Sequence, residues 1–183
     1  MPSRRTAARN LLIEAHTDAA AAFLATHWFP HVLLKGAALH AAASVFPYAD
    51  ARATTDVDVL LPQEHAAAAW DALVKAGYHI HVGPMKTPTG HWHLPTIVND
   101  AGVPVEIHHS ISTRLPPQEA WRRISGATRV FRRGGVALVV PSATELMWHA
   151  IAHAQQADAH AFRLRYFVDV AALWASDEAI DWT

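Results

Sequence analysis

The 183-residue chain has no cysteine. Disulfide staples, thiolate metal centres, a cysteine nucleophile and thiol redox chemistry are therefore excluded, and the lack fits a cytoplasmic protein. An excess of charge of either sign is also missing: 15 Lys and Arg stand against 16 Asp and Glu, a formal net charge of -1. Such a chain has no general attraction for nucleic acid or for an anionic membrane, so any phosphate chemistry must be local. Long apolar runs are absent as well. His, Pro, Asp or Arg interrupts every stretch well short of the ~20 residues that span a bilayer. Behind the basic start Met1-Pro2-Ser3-Arg4-Arg5, the residues Glu14, His16 and Asp18 break the apolar core that an export signal needs. The expectation is a soluble chain with no membrane partner.

What is there is an apolar fraction of 51% and 14 histidines, enough for one sizeable core and an invitation to weigh metal sites. From Ala8 to about Trp28, Leu11, Leu12, Ala15, Ala19, Ala22 and Phe23 recur at helical spacing, and Pro30 closes the segment. His31 to Leu34 reads as a short strand, Lys35-Gly36 as a turn, and Ala37 to Val45 as a helix. Thr54 to Leu61 alternates, with Val57, Val59 and Leu61 on one face and Asp56, Asp58 and Leu60 on the other. A helix follows over 65–76 to Gly77, then a strand over 78–82, a loop over 83–90, and two strands, 91–98 and 103–110, joined as a hairpin by Asn99-Asp100-Ala101-Gly102. Pro116 to Arg123 starts a short helix, and Arg129 to Val140 forms a weaker hairpin around Gly134-Gly135. Ser142 with Glu145 fits a capping box, opening one helix to about Ala157 before another from about His160 to Ala175. The pattern implies an α+β fold, with an α/β core over residues 1–140 and a C-terminal helical segment over 141–183, read as truncated.

Asp56 and Asp58 lie two apart on one strand face and can chelate the same divalent cations, and hard oxygen ligands suit Mg²⁺, with Mn²⁺ as its substitute. Glu106, in the alternating run Val103 to His108, supplies a third acid from a separate strand. Upstream, Lys35-Gly36-Ala37 sits at a strand-to-helix turn where glycine permits close backbone approach and a helix start favours phosphate oxygens. Phosphate cradle, two-acid strand and third-acid strand can hold an NTP with two metals, one activating an acceptor hydroxyl and one bridging the triphosphate as pyrophosphate leaves.

Three segments carry a resemblance: Leu33-Leu34-Lys35-Gly36-Ala37-Ala38-Leu39; Arg52 followed by Thr55-Asp56-Val57-Asp58-Val59-Leu60; and Val105-Glu106-Ile107-His108. Together they resemble the uncharacterised nucleotidyltransferase family of the DNA polymerase β-like superfamily. Its later helices are matched by His149 to His153 and by Arg163, Arg165 and Asp169. The resemblance implies a twisted mixed sheet with the acids on adjacent strands, flanked by helices, a helical segment closing over the nucleotide, and NMP transfer from an NTP to an acceptor. The acceptor is a small molecule, a peptide or protein side chain, or an RNA end. Many members carry Gly-Gly or Gly-Ser where this chain has Gly36-Ala37, so a serine contact to phosphate is missing here.

Around this core, Arg52 reads either as a triphosphate contact or as a surface arginine, and Lys35 either as a phosphate partner or as a strand-end lysine facing water. His108 shares the face of Glu106 and can orient it or approach the acceptor, while His109 faces the other way. His91 and His93 lack a third ligand nearby in sequence and favour a structural or substrate-contact role over zinc. His149 and His153, four apart on a helix, fit a packing face better than a metal pair, and Arg165 with Asp169 can pair along the helix. Two alternatives compete: a histidine-rich metallohydrolase built on His108, His109, His149, His153 and Asp169, and a non-catalytic nucleotide-binding module.

Overall fold

A computed structural model of the chain describes residues 4–42, 45–46, 51–81, 92–112, 114–156 and 163–182. It opens with the long helix α1 (Arg4–Thr26), followed by β1 (Val32–Leu33), α2 (Lys35–Ala41), β2 (Val57–Leu60), α3 (Gln63–Lys75), β3 (His79–Ile80), β4 (Ile97–Val98) and β5 (Pro104–His108). Next come α4 (Pro117–Gly126), the hairpin β6 (Thr128–Arg133) and β7 (Val136–Pro141), then α5 (Ala143–Gln156) and α6 (Arg163–Ala175). Five strands form one mixed sheet in the order β1-β2-β5-β4-β3. Only the central pair, β2 and β5, is parallel; each other neighbour is antiparallel.

Alternation along β2 sorts its side chains to the two faces of the sheet. Val57, Val59 and Leu61 join the main core with α1, α2, α3 and β7, whereas Leu60 joins a smaller cluster with Val32, Leu34, Ile111, Ala120 and Ile124. Side chains such as Leu24, Leu33 and Leu73 are fully buried, each contributing about 1.5–3 kcal/mol relative to exposure. Asp58 therefore projects from the face opposite the main core.

The first helix buries a different stripe from the one its apolar spacing suggests. Leu11 and Leu12 are exposed, while Asn10, Ile13, Thr17, Ala20, Ala21 and Leu24 face inward. Two polar residues are accepted there because their hydrogen bonds are met: Thr17 donates to the Ile13 carbonyl at 2.8 Å, and Asn10 donates to the Arg52 carbonyl at 2.8 Å while accepting from the Thr54 amide at 3.1 Å.

Other boundaries shift for local reasons. The expected 91–98 strand shortens to β4 in its described part, because Pro95 has no N–H to give the ladder; the antiparallel hairpin with β5 forms, pairing Ile97 with Val105. The hairpin around Gly134-Gly135 is the longest ladder, with six pairs, since both glycines take positive φ (54° and 85°) as a tight two-residue turn requires. The capping box at α5 forms by half. The Glu145 amide donates to Ser142 Oγ at 3.3 Å, but the Glu145 carboxylate turns to Arg123 Nε at 2.7 Å. The expected loop over 83–90, His91 and the start of the last helix at His160 lie outside the described residues. Among the described residues, no helix is long and apolar enough to cross a membrane.

Candidate functional site

Parallel, in-register pairing of β2 with β5 sets Asp58 opposite Glu106 and Leu60 opposite His108. Paired residues on neighbouring strands point to the same side, about 4.8 Å apart, so the ladder itself brings two acids and a histidine together. One ligand atom each of Asp58, Glu106 and His108 lies within 4.8 Å of the others, the group of three close donors found among the described residues. His108 Nε2 lies 2.8 Å from Asp58 Oδ1 and 3.5 Å from Glu106 Oε2. Asp56 sits one residue before β2, held by a hydrogen bond from Thr55 Oγ1 at 3.1 Å, and Thr96 donates to Glu106 at 3.3 Å.

Packing this many carboxylates together distorts their titration. Burial, reinforced by the charge of Asp58, pushes Asp56 up to about 6. Burial acts in the same direction on Asp58 but is outweighed by Lys35 and His108, which hold it well below the usual carboxylate range. His108 is raised although burial and Lys35 oppose its charge, because Asp58 and Glu106 accept its proton in hydrogen bonds. Asp58 Oδ2 and His108 Nδ1 are buried with no hydrogen-bond partner among the described residues. An orphaned carboxylate oxygen beside two further carboxylates fits a hard divalent cation.

Lys35 is not a strand-end lysine facing water. Its Nζ lies 2.6 Å from Asp58 Oδ1 and 3.7 Å from Glu106 Oε2. Burial works against its charge, yet the carboxylates prevail and raise its pKa. The helix starts earlier than its alanine content suggests, so Lys35 occupies the first position of α2, with φ +46°. For a residue with a side chain this left-handed conformation costs about 1–2 kcal/mol, and strain of that kind gathers at functional sites.

Gly36 follows, and its missing side chain makes room for protein rather than for a ligand. A Cβ there would lie 2.4 Å from Arg52 Nη1 and 2.7 Å from Thr54 Cγ2. The neighbouring Ala37 is buried. Arg52 is neither a surface arginine nor open to solvent: it is 6% exposed and forms a bidentate pair with Asp169 of α6, Nε to Oδ1 at 2.6 Å and Nη2 to Oδ2 at 2.9 Å, while Nη1 donates to Thr54 Oγ1 at 3.0 Å. Asp169 thus directs both carboxylate oxygens to Arg52, a partner 117 residues away that helical spacing cannot reveal.

Beside Lys35 lies a small gap of about 10 Å³, lined by Leu39, Leu146, His149, His153, Tyr166 and Asp169. The His153 ring meets Tyr166 edge-on at 4.9 Å and Trp92 at 5.9 Å, and lies 5.8 Å from His149. Burial, with His153 and Lys35 adding to it, lowers His149 well below its ordinary value, and burial plus Lys35 pushes His153 down to about 4. Both imidazoles are neutral at physiological pH. The pair therefore packs against neighbouring rings, as its helical spacing suggests. The proposed metallohydrolase donors do not come together: of that set, only His108 belongs to the three-donor group, and Asp169 is taken by Arg52. His93 stays close by, its ring 5.2 Å from His108.

With this arrangement in view, a family model described as an uncharacterised nucleotidyltransferase matches residues 2–183. The chain belongs to that nucleotidyltransferase family. Solved structures agree in fold. An antigenic nucleotidyltransferase-like protein from Paracoccidioides brasiliensis superposes with a TM-score of 0.61 at 15% identity, covering 88% of this chain and 74% of that one. ANT(2")-Ia in complex with adenylyl-2"-tobramycin gives a TM-score of 0.58 at 12% identity over 87% of this chain and 84% of that one. The lincosamide antibiotic adenylyltransferase LnuA, lincomycin-bound, gives 0.58 at 12% identity over 88% and 96%. No curated protein matches the chain. The mixed sheet with its flanking helices is thus the nucleotidyltransferase α+β fold, and Asp58, Glu106 and His108 stand on the central strand pair of this nucleotidyltransferase.

Proposed function

We propose that the protein transfers NMP from a metal-bound NTP to a hydroxyl of a small-molecule acceptor, releasing pyrophosphate. The observation that carries this reading is the in-register placement of Asp58 and Glu106 on adjacent parallel strands, with Asp56 one residue before the ladder. Asp56, Asp58 and Glu106 would hold Mg²⁺, or Mn²⁺ in its place. When bound, the metal neutralises charge on the phosphates and makes the acceptor hydroxyl easier to deprotonate.

The chain's own residues account for the rest. His108 donates Nε2–H between Asp58 and Glu106 and so fixes both carboxylates. Lys35 stands against the carboxylates, and its ammonium offsets the charge of the phosphate oxygens that approach them. Arg52 acts at one remove, since its guanidinium is engaged by Asp169; it positions the chain before Asp56 instead of gripping the triphosphate. The acceptor oxygen forms a bond to the α-phosphorus, the bond from that phosphorus to the bridging oxygen breaks, and the acceptor's proton passes to a carboxylate of the cluster, Glu106 in the simplest arrangement.

Support for a small acceptor comes from proteins of the same fold, since the gap beside Lys35 has room for little more than a water molecule. The structural neighbours named for an adenylyl-2"-tobramycin complex and for bound lincomycin place small-molecule acceptors on the same fold.

The test is a thermal-shift screen of the four NTPs with and without Mg²⁺. At a hundredfold excess over Kd, a ligand stabilises by about 2.7 kcal/mol, a rise of roughly 5–10 °C for a chain of this size. The rise should require Mg²⁺ and vanish in the double variant Asp56→Ala, Asp58→Ala while the fold survives. Wild-type protein that binds no NTP and yields no pyrophosphate with any acceptor would falsify the reading.

A further inference from the structure

Lys35 already does, without metal, what a cation in this site would do: its ammonium rests against Asp58 Oδ1 at 2.6 Å and reaches Glu106 Oε2 at 3.7 Å. It cannot hold that place and serve phosphate at once. A divalent cation drawn to Asp58 and Glu106 competes with the ammonium for the same oxygens, and the like charges repel at contact distance. Two features make the exchange feasible. The lysine is rooted in the first residue of α2 in a left-handed conformation (φ +46°), so its departure does not unwind an established helix interior. Its side chain is also 17% exposed, so the ammonium can swing toward solvent when it leaves the carboxylates.

Resting on the nucleotidyltransferase reading above, we infer that Lys35 is a resident counter-cation that the metal displaces from Asp58 and Glu106, and that the freed ammonium then takes up the incoming triphosphate. The exchange couples the two ligands. Metal without nucleotide must evict the lysine with nothing to receive it and binds weakly; nucleotide gives the displaced charge a partner and tightens the metal in return. Lys35 is on this account a positioning residue for metal loading as well as a phosphate contact.

The exchange is read on the wild-type protein by Mn²⁺ titration and by acetylation footprinting of Lys35 with mass spectrometry, the exposed Lys75 serving as the internal reference. Saturating Mn²⁺ alone should raise Lys35 labelling several-fold over Lys75, and addition of the nucleotide that gives the largest thermal shift should suppress it again. In parallel, folded Lys35→Met should bind Mn²⁺ without nucleotide at least tenfold tighter than wild type and bind the Mn²⁺-nucleotide more weakly, while Lys35→Arg stays near wild type in metal affinity. Lys35 labelling that Mn²⁺ leaves unchanged overturns the inference even if nucleotide still binds, and so does a Lys35→Met variant with equal or weaker Mn²⁺ affinity. If Mn²⁺ frees Lys35 but no NTP protects it, the metal exchange stands and the phosphate step, with the nucleotidyl-transfer reading behind it, falls.

Discussion

At the residue scale, Asp56 carries the acid-range signature of the site. Burial and the negative charge of Asp58 raise it from its ordinary 3.8 to about 6. A carboxyl whose folded value lies above its unfolded one holds more protons in the folded state, so stability falls as pH rises from about 4 to 6 and then levels off. The loss is on the order of 3 kcal/mol for a shift of about two units. Asp58 has the opposite sign: its folded value is depressed by Lys35 and His108 against the push of burial, so its contribution is present above about pH 4 and fades only in stronger acid. Urea unfolding of wild type and Asp56→Asn between pH 4 and 7 isolates Asp56 together with the charges coupled to it, since groups remote from the cluster cancel in the difference. Wild type should lose stability relative to the variant across that window, and saturating Mg²⁺ should flatten the difference. Parallel curves without metal would count against the carboxylate cluster as drawn. Gly36 makes a second prediction at this scale. Its absent Cβ would fall 2.4 Å from Arg52 Nη1, so Gly36→Ala should cost about 1–3 kcal/mol through overpacking of a buried ion pair. An unchanged denaturation midpoint would show that Arg52 moves aside freely.

At the scale of elements, the tie between Arg52 and Asp169 fastens α6 to the segment leading into β2. Both side chains are buried, 6% and 2% exposed, and removing one partner leaves a charge stranded without solvent. Asp169→Ala should therefore destabilise the protein by about 3–5 kcal/mol, whereas the paired replacement Arg52→Met with Asp169→Leu should recover most of that loss. Hydrogen exchange would show α6 opening first in the single variant. This pair also marks where sequence reading stops. The alternation of Val57 and Val59 with Asp58 and Leu60 is legible because a strand's two-residue period is a local property, and it sets Asp58 and Leu60 on the face opposite the two valines. The pairing of β2 with β5 in parallel, 48 residues apart, could be guessed only from the resemblance, yet it is what sets Asp58 beside Glu106. Spacing alone pairs Asp169 with Arg165, its helical neighbour, because it reports only local partners; Arg52 is a fold-level contact. The stripe of α1 differs from its apolar spacing for a related reason: Asn10 and Thr17 look polar in sequence, but their hydrogen bonds make them interior residues. Lys35 was legible as a charge near a turn, not as the cation between two acids.

For the molecule as a whole, the balance of charge decides between kinds of acceptor. The formal net charge of -1 could still conceal a basic face, but five of the 15 Lys and Arg are held by acids, Lys35 and Arg52 near the site among them. Lys35 meets Asp58, Arg52 meets Asp169, Arg123 meets Glu145, Arg129 meets Glu178, and Arg133 bridges Glu14 and Asp18. A protein that grips a nucleic-acid strand needs several phosphate contacts, and each adds about 0.7 to the slope of log affinity against log salt for single strands. With Lys35 as the one lysine at the site, that slope should not exceed about 1. Binding of a 20-nucleotide single-stranded RNA, followed by fluorescence anisotropy, should then be weak at 150 mM salt and change only about threefold between 50 and 200 mM. A slope of four or more would reveal a basic surface built from residues other than these pairs, and would move the acceptor from a small hydroxyl compound to an RNA end.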